Sequence, residues 1–269
     1  MTAQATTVTP FGFSLRQRRR GQGLSQLQLA LAAATTARHL SFLETGRSRP
    51  SRDMVLRLAQ ALRLPLRETN RLLTDAGLPA GFPETPIDDP DLGAFSAVVD
   101  QMLTRHEPYP AYVVNRRWDI VRANAAAERL LPPQGKRNVV RLVYGGAWQD
   151  LIVNWSDVAP AGVVRLQADA ARHPDDQVLA ELVDLATAAV RHLGPVPLVP
   201  VGRVLCPHFR IGENVVRTIS VVAQFGGAAD VTLDELRVEL VFPADDTAKS
   251  LLEVTPSPAP TLARGGVIR

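Results

Sequence analysis

The chain has 269 residues, of which 46% are hydrophobic and 21% charged, and it carries a net charge of +3. Its length allows two domains with a sizeable core; its single cysteine, Cys206, excludes an internal disulfide and fits a reducing cytoplasm; no apolar run approaches the ~18 residues of a bilayer span. The charge is uneven, with 12 basic and 5 acidic side chains in residues 1–85 against 18 and 22 in the remainder, and a basic head on an acidic body is the electrostatic footprint of a nucleic-acid-binding module.

Met1–Pro10 is polar and is expected to be disordered. It lacks the basic stretch and apolar core of a secretory signal. Ser25 to Ser51 reads as two short helices joined by a tight turn. Ser25 and Gln28 fit a capping box that opens the first helix, and Leu29, Ala30 and Ala33 follow at helical spacing. The turn falls at Ala34-Thr35, where glycine is common. Thr36 is a good N-cap for the second helix. Leu40 and Leu43 share its buried face, while Ala37, Arg38, Ser41 and Phe42 fall on other faces. Gly46 stands where a C′ glycine belongs. Arg47, Arg49 and Arg52 then follow at a spot suited to grip phosphate. This is the layout of a helix-turn-helix that docks in the major groove. An ordinary helical pair with solvated arginines is the plainer alternative, and the charge asymmetry favours the DNA-binding one.

Pro79–Asp91 is rich in proline and acid and reads as a linker or irregular bridge. A second domain runs from Leu92 to about Leu252. It opens with a strand at Ala111–Val114, a turn at Asn115-Arg116-Arg117 and a second strand at Trp118–Ala123. Asn124 then caps the helical run AAAERLL. This opening resembles that of PAS-type sensor domains. From Val139 to Leu193 the runs VVRLVYG, VVRLQADAARH and QVLAELVDLATAAVRHL read as helices, with Pro174, Asp175 and Asp176 separating the last two. Three strand-like runs close the domain: Val199–Phe209, Val215–Phe225 and Glu235–Phe242, with Gly226, Gly227 and Asp230 in turns. The expected fold is an α-helical head followed by a PAS-like α+β sensor with an antiparallel sheet, one face covered by helices and a pocket between. Residues 253–269 are expected to be disordered.

The segments LRQRRRGQGLSQLQLA and HLSFLETGRSRPS resemble the helix-turn-helix of the phage-repressor and xenobiotic-response-element class, over about residues 11–78 taken as five short helices. The runs MVLRLAQALRLPLRETNRLLTDAGL, HEPYPAYVVNRRWDIVRANAAAERLL and FGGAADVTLDELRVELVFPADD narrow the resemblance to the MmyB-like transcription regulators. The resemblance implies a phosphate contact at Gln26, base-facing positions at Ala37, Arg38 and Phe42, and places beside the DNA backbone for Thr36, Ser41 and Thr45. It implies that Arg19 and Glu44 tie the first helix to the recognition helix. His39 is read as a phosphate or solvent contact. Phage repressors favour amides at the base-facing positions, so no operator is carried over. Of the three residues, Arg38 alone can make a bidentate contact to guanine.

The same resemblance implies a small, largely apolar ligand, fatty-acid-like, in the second domain. Tyr112, Trp118, Trp148 and Trp155 are candidate lining residues, and each reads equally as core. Arg122, Arg165 and Arg217 are candidates for an anionic headgroup, and each reads equally as surface. Cys206 reads as a small buried hydrophobe. The histidines His39, His106, His173, His192 and His208 show no metal-ligand spacing, so no zinc site is expected. No nucleophile elbow, Walker loop or dinucleotide fingerprint occurs. The expected protein is a cytoplasmic, non-enzymatic DNA-binding regulator, a homodimer on double-stranded DNA. A constitutive DNA-binding protein whose second domain only dimerises is one alternative, and an enzyme with a DNA-binding head is another.

Overall fold

The computed structural model describes residues 9–132, 137–194 and 206–253. In chain order the helices are α1 (Pro10–Gly21), α2 (Gln26–Ala32), α3 (Ala37–Glu44), α4 (Arg52–Ala61), α5 (Leu66–Asp75), α6 (Gly93–Arg105), α7 (Ala125–Glu128), α8 (Val139–Gly145), α9 (Trp155–Arg172), α10 (Gln177–Val190), α11 (Val231–Glu235) and α12 (Asp246–Glu253). The strands are β1 (Ala111–Val114), β2 (Ile120–Ala123), β3 (His208–Ile211), β4 (Asn214–Ala223) and β5 (Arg237–Pro243). The described residues fall into two compact units. One comprises the chain up to 97 with 168–177 and 224–236; the other comprises 98–167, 178–223 and the chain from 237 on.

In the first unit, α1 to α5 enclose a leucine-rich core. Leu15, Leu29, Leu40, Leu43, Leu58 and Leu72 are fully buried, each worth about 1.5–3 kcal/mol relative to exposure. The helices start where side chains can satisfy their free N–H groups. Thr9, Ser25, Thr36 and Ser51 cap α1 to α4, and Ser25 and Gln28 form a reciprocal capping box. Of the start expected to be disordered through residue 10, Thr9 instead caps and Pro10 opens a helix, while residues 1–8 lie outside the described ones. Ala34, in the turn between α2 and α3, sits at φ 50° in the left-handed region that glycine tolerates better. Gly12 lets α1 approach the end of α3: a Cβ there would stand 2.6 Å from the Glu44 carbonyl oxygen.

The proline-rich stretch after α5 is an irregular bridge packed on this unit. The Asn70 side chain accepts from the N–H groups of Gly81 and Phe82 and donates to the Phe82 carbonyl. Two segments from far along the chain complete the unit. The Val231 N–H donates to the Pro83 carbonyl at 2.8 Å, and the Asp230 carboxylate accepts from the Thr85 N–H. Arg67 on α5 forms ion pairs with Glu84 and with Glu235, the latter at 2.7 Å. Those two carboxylates hold the Arg67 guanidinium above its ordinary range, the Glu235 hydrogen bond contributing most. Glu68, one residue on, is 1% exposed and pairs with Arg18 of α1, while His173 Nδ1 lies 3.6 Å away.

The second unit is built on one antiparallel sheet in the order β2-β1-β5-β4-β3. The hairpin β1–β2 and the Asn124 cap follow the sequence pattern, with Asn124 accepting from the Ala127 N–H. The strand expected at Val199–Phe209 is described only from its last residues on and forms His208–Ile211; residues 199–205 lie outside the described ones. Helix α9 begins at Trp155, earlier than its hydrophobic run suggests, and carries Pro160 just past its first turn, where one ladder hydrogen bond is lost. Helices α6, α11 and α12 are additions to the expected elements. Strand β4 alternates between residues 215 and 221: Val216, Thr218 and Ser220 turn inward, whereas Val215, Arg217, Ile219 and Val221 face out. Glu253 ends α12 and accepts from the Tyr109 hydroxyl; the rest of the tail lies outside the described residues.

Candidate functional site

The DNA-reading candidates sit on and around α3. Arg38 is exposed and stacks over the ring of Phe42 one turn on, its guanidinium carbon 5.4 Å from the ring centre. The ring thus holds the guanidinium on the outer face of the helix. Ala37 is half-buried against the leucine core, and Ser41 and His39 are half-buried at the helix surface. Thr36 and Thr45 spend their side-chain oxygens locally: Thr36 accepts from the His39 N–H at 3.1 Å, and Thr45 donates to the Ser41 carbonyl at 2.7 Å. Arg47 and Arg49 are exposed on the loop after α3, which is closed by the Arg47 and Ser48 N–H groups donating to the Phe42 carbonyl. Arg52, expected with them, donates instead to the Pro79 carbonyl at 3.0 Å.

Behind this face, Arg19 grips Glu44 in a bidentate pair at 2.6 and 2.9 Å and also donates to the Leu24 carbonyl. The Gln26 side-chain amide donates to the second Glu44 oxygen at 2.8 Å, a tie that the sequence does not announce. Glu44 is 3% exposed. Burial pushes its carboxyl up, but the hydrogen bonds from Arg19 and Gln26 outweigh this and hold it below the usual carboxylate range. One buried carboxylate therefore fixes α1, α2 and α3 together, and sets the angle at which α3 is presented.

The second candidate site is a cavity of about 400 Å³ within the second unit. Helices α8 and α9 wall one side with Val140, Val143, Ala161 and Leu166, and the inward faces of β3, β4 and β5 wall the other with Phe209, Val216 and Val241. Tyr112, Trp118, Trp148 and Arg165 line it. The other three candidates stand elsewhere. Arg122 pairs with Asp100 of α6 at 2.9 Å. Arg217 falls on the outer face of β4, 3.7 Å from Asp245. Trp155 is buried but outside the cavity, donating to the Val143 carbonyl and stacking on His192. For Arg217 the reason is parity: successive strand residues alternate faces, and its neighbours Val216 and Thr218 hold the inward positions.

Polar groups gather around Trp118. This residue has φ 65°, a left-handed conformation that costs a bulky side chain on the order of 1–3 kcal/mol and that folds tolerate mainly at functional positions. Asn115 and Asn138 over-determine the turn that holds it. The Asn115 carboxamide oxygen accepts from the Arg117 and Asp119 N–H groups, and Asn138 donates to the Arg117 carbonyl. The indole is 8% exposed, and its Nε1–H has no hydrogen-bond partner in the protein. The guanidinium carbons of Arg165 and Arg237 lie 4.6 and 5.0 Å from its ring. Arg165 donates to Glu239 at 3.0 Å. Glu239, 5% exposed and opposite Tyr112 in the strand register, is a charged lining residue that was not among the candidates. Its only local signal is an acidic residue between Val238 and Leu240 in an otherwise apolar strand.

Elsewhere the cavity wall is closely packed. Tyr144 donates to the Ala159 carbonyl at 2.7 Å, and Gly162 makes room for its hydroxyl: a Cβ there would lie 2.3 Å from it. Gly162→Ala is expected to destabilise the chain by about 1–3 kcal/mol through this overlap. Adding Tyr144→Phe should recover part of the loss in thermal melts, because the clashing atom is gone. A double variant no better than Gly162→Ala would mean that the strain lies elsewhere. Cys206 is buried, and its sulfur accepts from the Ser220 N–H at 3.3 Å. Among the described residues no group of three His, Cys, Asp or Glu could hold a metal ion, and no helix is long and apolar enough to cross a membrane.

A helix-turn-helix with an exposed arginine on its second helix, joined in one chain to an α+β domain with an apolar cavity, defines a ligand-binding, DNA-binding transcription regulator. Residues 15–68 match the helix-turn-helix family, and residues 95–254 match the MmyB-like transcription regulator ligand binding domain. The chain belongs to the MmyB-like transcription regulators. No curated protein matches it.

Proposed function

We propose that the protein is a homodimeric, cytoplasmic, non-enzymatic regulator that binds double-stranded operator DNA and changes its affinity when a small apolar, fatty-acid-like molecule occupies the second domain. The observation that carries the ligand reading is the cavity: about 400 Å³, walled mainly by aliphatic and aromatic side chains. Such a volume lies within the range of small-molecule sites. A constitutive regulator whose second domain only dimerises would be better served by a filled core.

On the DNA side, Arg38 reads a base edge while Arg47 and Arg49 hold phosphates. Gln26, Thr36, Ser41 and Thr45 lie beside the backbone. Two heads of a dimer would reach successive major grooves about 34 Å apart. The ligand acts by binding two arrangements of the dimer unequally, since a ligand that binds both alike shifts nothing. The chain offers a route. Helix α9 lines the cavity through Ala161, Gly162 and Arg165, and continues into residues 168–172, which belong to the compact unit of the helix-turn-helix. His173, directly after it, faces Glu68 there.

Native mass spectrometry of the freshly purified full-length protein tests the reading. A dimer with a discrete adduct, or one gained on incubation with medium-chain lipids, is the expected result. A clean dimer that takes up nothing would favour the constitutive reading, and a monomer would remove the paired-groove geometry.

A further inference from the structure

Helix α5 begins without a cap of its own: Pro65 precedes it and supplies no side-chain acceptor to its free N–H groups. The acceptor comes from 168 residues onward, where the Asp234 carboxylate takes the Leu66 N–H at 3.3 Å. The next two residues are also met from afar. Arg67 pairs with Glu235 at 2.7 Å, and His173 Nδ1 stands 3.6 Å from Glu68. All three partners sit beside elements that wall the cavity. Asp234 and Glu235 close α11, just ahead of β5, which carries Glu239 and Val241 into the wall. His173 follows α9, roughly two turns beyond the lining residue Leu166. The first turn of α5 therefore gathers the ends of two cavity elements on three consecutive residues.

From that turn a buried path leads to the recognition helix. Glu68 pairs with Arg18 of α1, 2% of the Glu68 side chain and 4% of the Arg18 side chain being exposed. Asp175, from the same stretch as His173, adds a second carboxylate 3.9 Å from Arg18. Arg19, the adjacent residue, grips Glu44 of α3, and Gly12 brings α1 close against the carbonyls of Leu43 and Glu44. Helix α1 is thus clasped at neighbouring positions by a carboxylate from α5 and one from α3. We propose that the first turn of α5 receives the ligand signal, and that Glu68 is a positioning residue for α3, acting through Arg18 and Arg19. This rests on the ligand reading above and names its path. With Asp234 and Glu235 in place the turn is capped and Glu68 is held on Arg18. With them withdrawn the turn frays, because a helix end without acceptors opens first. Arg18 then loses the carboxylate nearest its buried charge, and α1 and α3 loosen together. A ligand between α9 and β5 biases these two states by binding one of them better.

Hydrogen–deuterium exchange of the full-length protein, resolved by peptide, tests this, because it reads the opening of each element separately. Asp234→Ala removes the cap and should raise exchange at least about threefold at the start of α5 and also in α1 and α3, with β4 unchanged as the internal control. Asp234→Asn keeps an acceptor of equal rank and should restore the parent pattern. Glu68→Gln should loosen α1 and α3 with the cap intact. A rise confined to α5 in Asp234→Ala would overturn the path to α3, and no rise even there would overturn the cap. The second arm uses sodium decanoate as the probe, its uptake read by calorimetry. Uptake should change exchange at the start of α5 and in α3, and do so less in Asp234→Ala. Uptake that leaves both elements unchanged would overturn the inference and leave the ligand reading standing. No uptake would overturn the ligand reading and the signalling role with it, while the variant comparison still decides the positioning role of Glu68.

Discussion

Glu44→Ala is expected to cost about 3–5 kcal/mol, because it leaves the Arg19 guanidinium buried without its counter-ion. Domains are held together by only about 5–15 kcal/mol, so the substitution should leave little of the DNA-binding head folded at growth temperature. Gln26 loses its partner at the same stroke, and α2 loses its tie to α3. Thermal and urea unfolding of the two proteins measures this. A midpoint within a degree or two of the parent would show that the pair contributes little. The pH dependence has a definite sign. Glu44 is lowered in the folded protein from its ordinary value of 4.5. Its contribution is therefore complete above about pH 4.5 and is lost as pH falls through the lower folded value. Glu44→Gln should flatten the acid limb of the stability curve and leave its alkaline side unchanged.

Arg38→Ala should weaken binding to the specific operator by about 10- to 100-fold, the value of a bidentate arginine–guanine contact of about 1–3 kcal/mol. Binding to random DNA should fall far less, since Arg38 stands on the outer face of α3, propped by Phe42, rather than in the phosphate-facing loop. Arg47→Ala should do the opposite. It should weaken all sequences alike and reduce the slope of affinity against salt by about one ion. Paired gel-shift titrations on operator and scrambled duplex across a salt series separate the two. Equal losses on both duplexes for Arg38→Ala would remove it from base reading, and an unchanged slope for Arg47→Ala would remove its phosphate.

The helix-turn-helix was legible because its determinants are local. A capping box at Ser25 and Gln28, an N-cap at Thr36 and a glycine at 46 act on residues within a turn, so their spacing in sequence is their geometry. The Arg19–Glu44 pair came from the family resemblance; nothing local joins residues 25 apart. The sheet was readable strand by strand, and its order was not, because pairing β1 with β5 spans more than a hundred residues. The ligand residues divided by the same logic. Trp118 was one of four large aromatics offered as lining residues of the pocket that the resemblance implied, whereas Arg217 and Glu239 depended on which strand parity faces the helices. The bridge after α5 looked like a linker because the groups it bonds, Asp230 and the Val231 N–H, lie some 145 residues onward.

That last arrangement bears on how the protein emerges from the ribosome. Helices α1 to α5 can bury their leucine core as soon as residue 75 is clear of the exit tunnel. Arg67 and Glu68, however, wait for Glu235 and His173. At typical elongation rates the 160 codons between residues 75 and 235 take roughly 8–30 s. For that interval the nascent head has its recognition helix in place while one flank is unfinished. A transcript cut short before codon 235 would yield a head that never acquires the Arg67–Glu235 ion pair, so translation through that codon is itself a condition for a fully assembled DNA-binding unit.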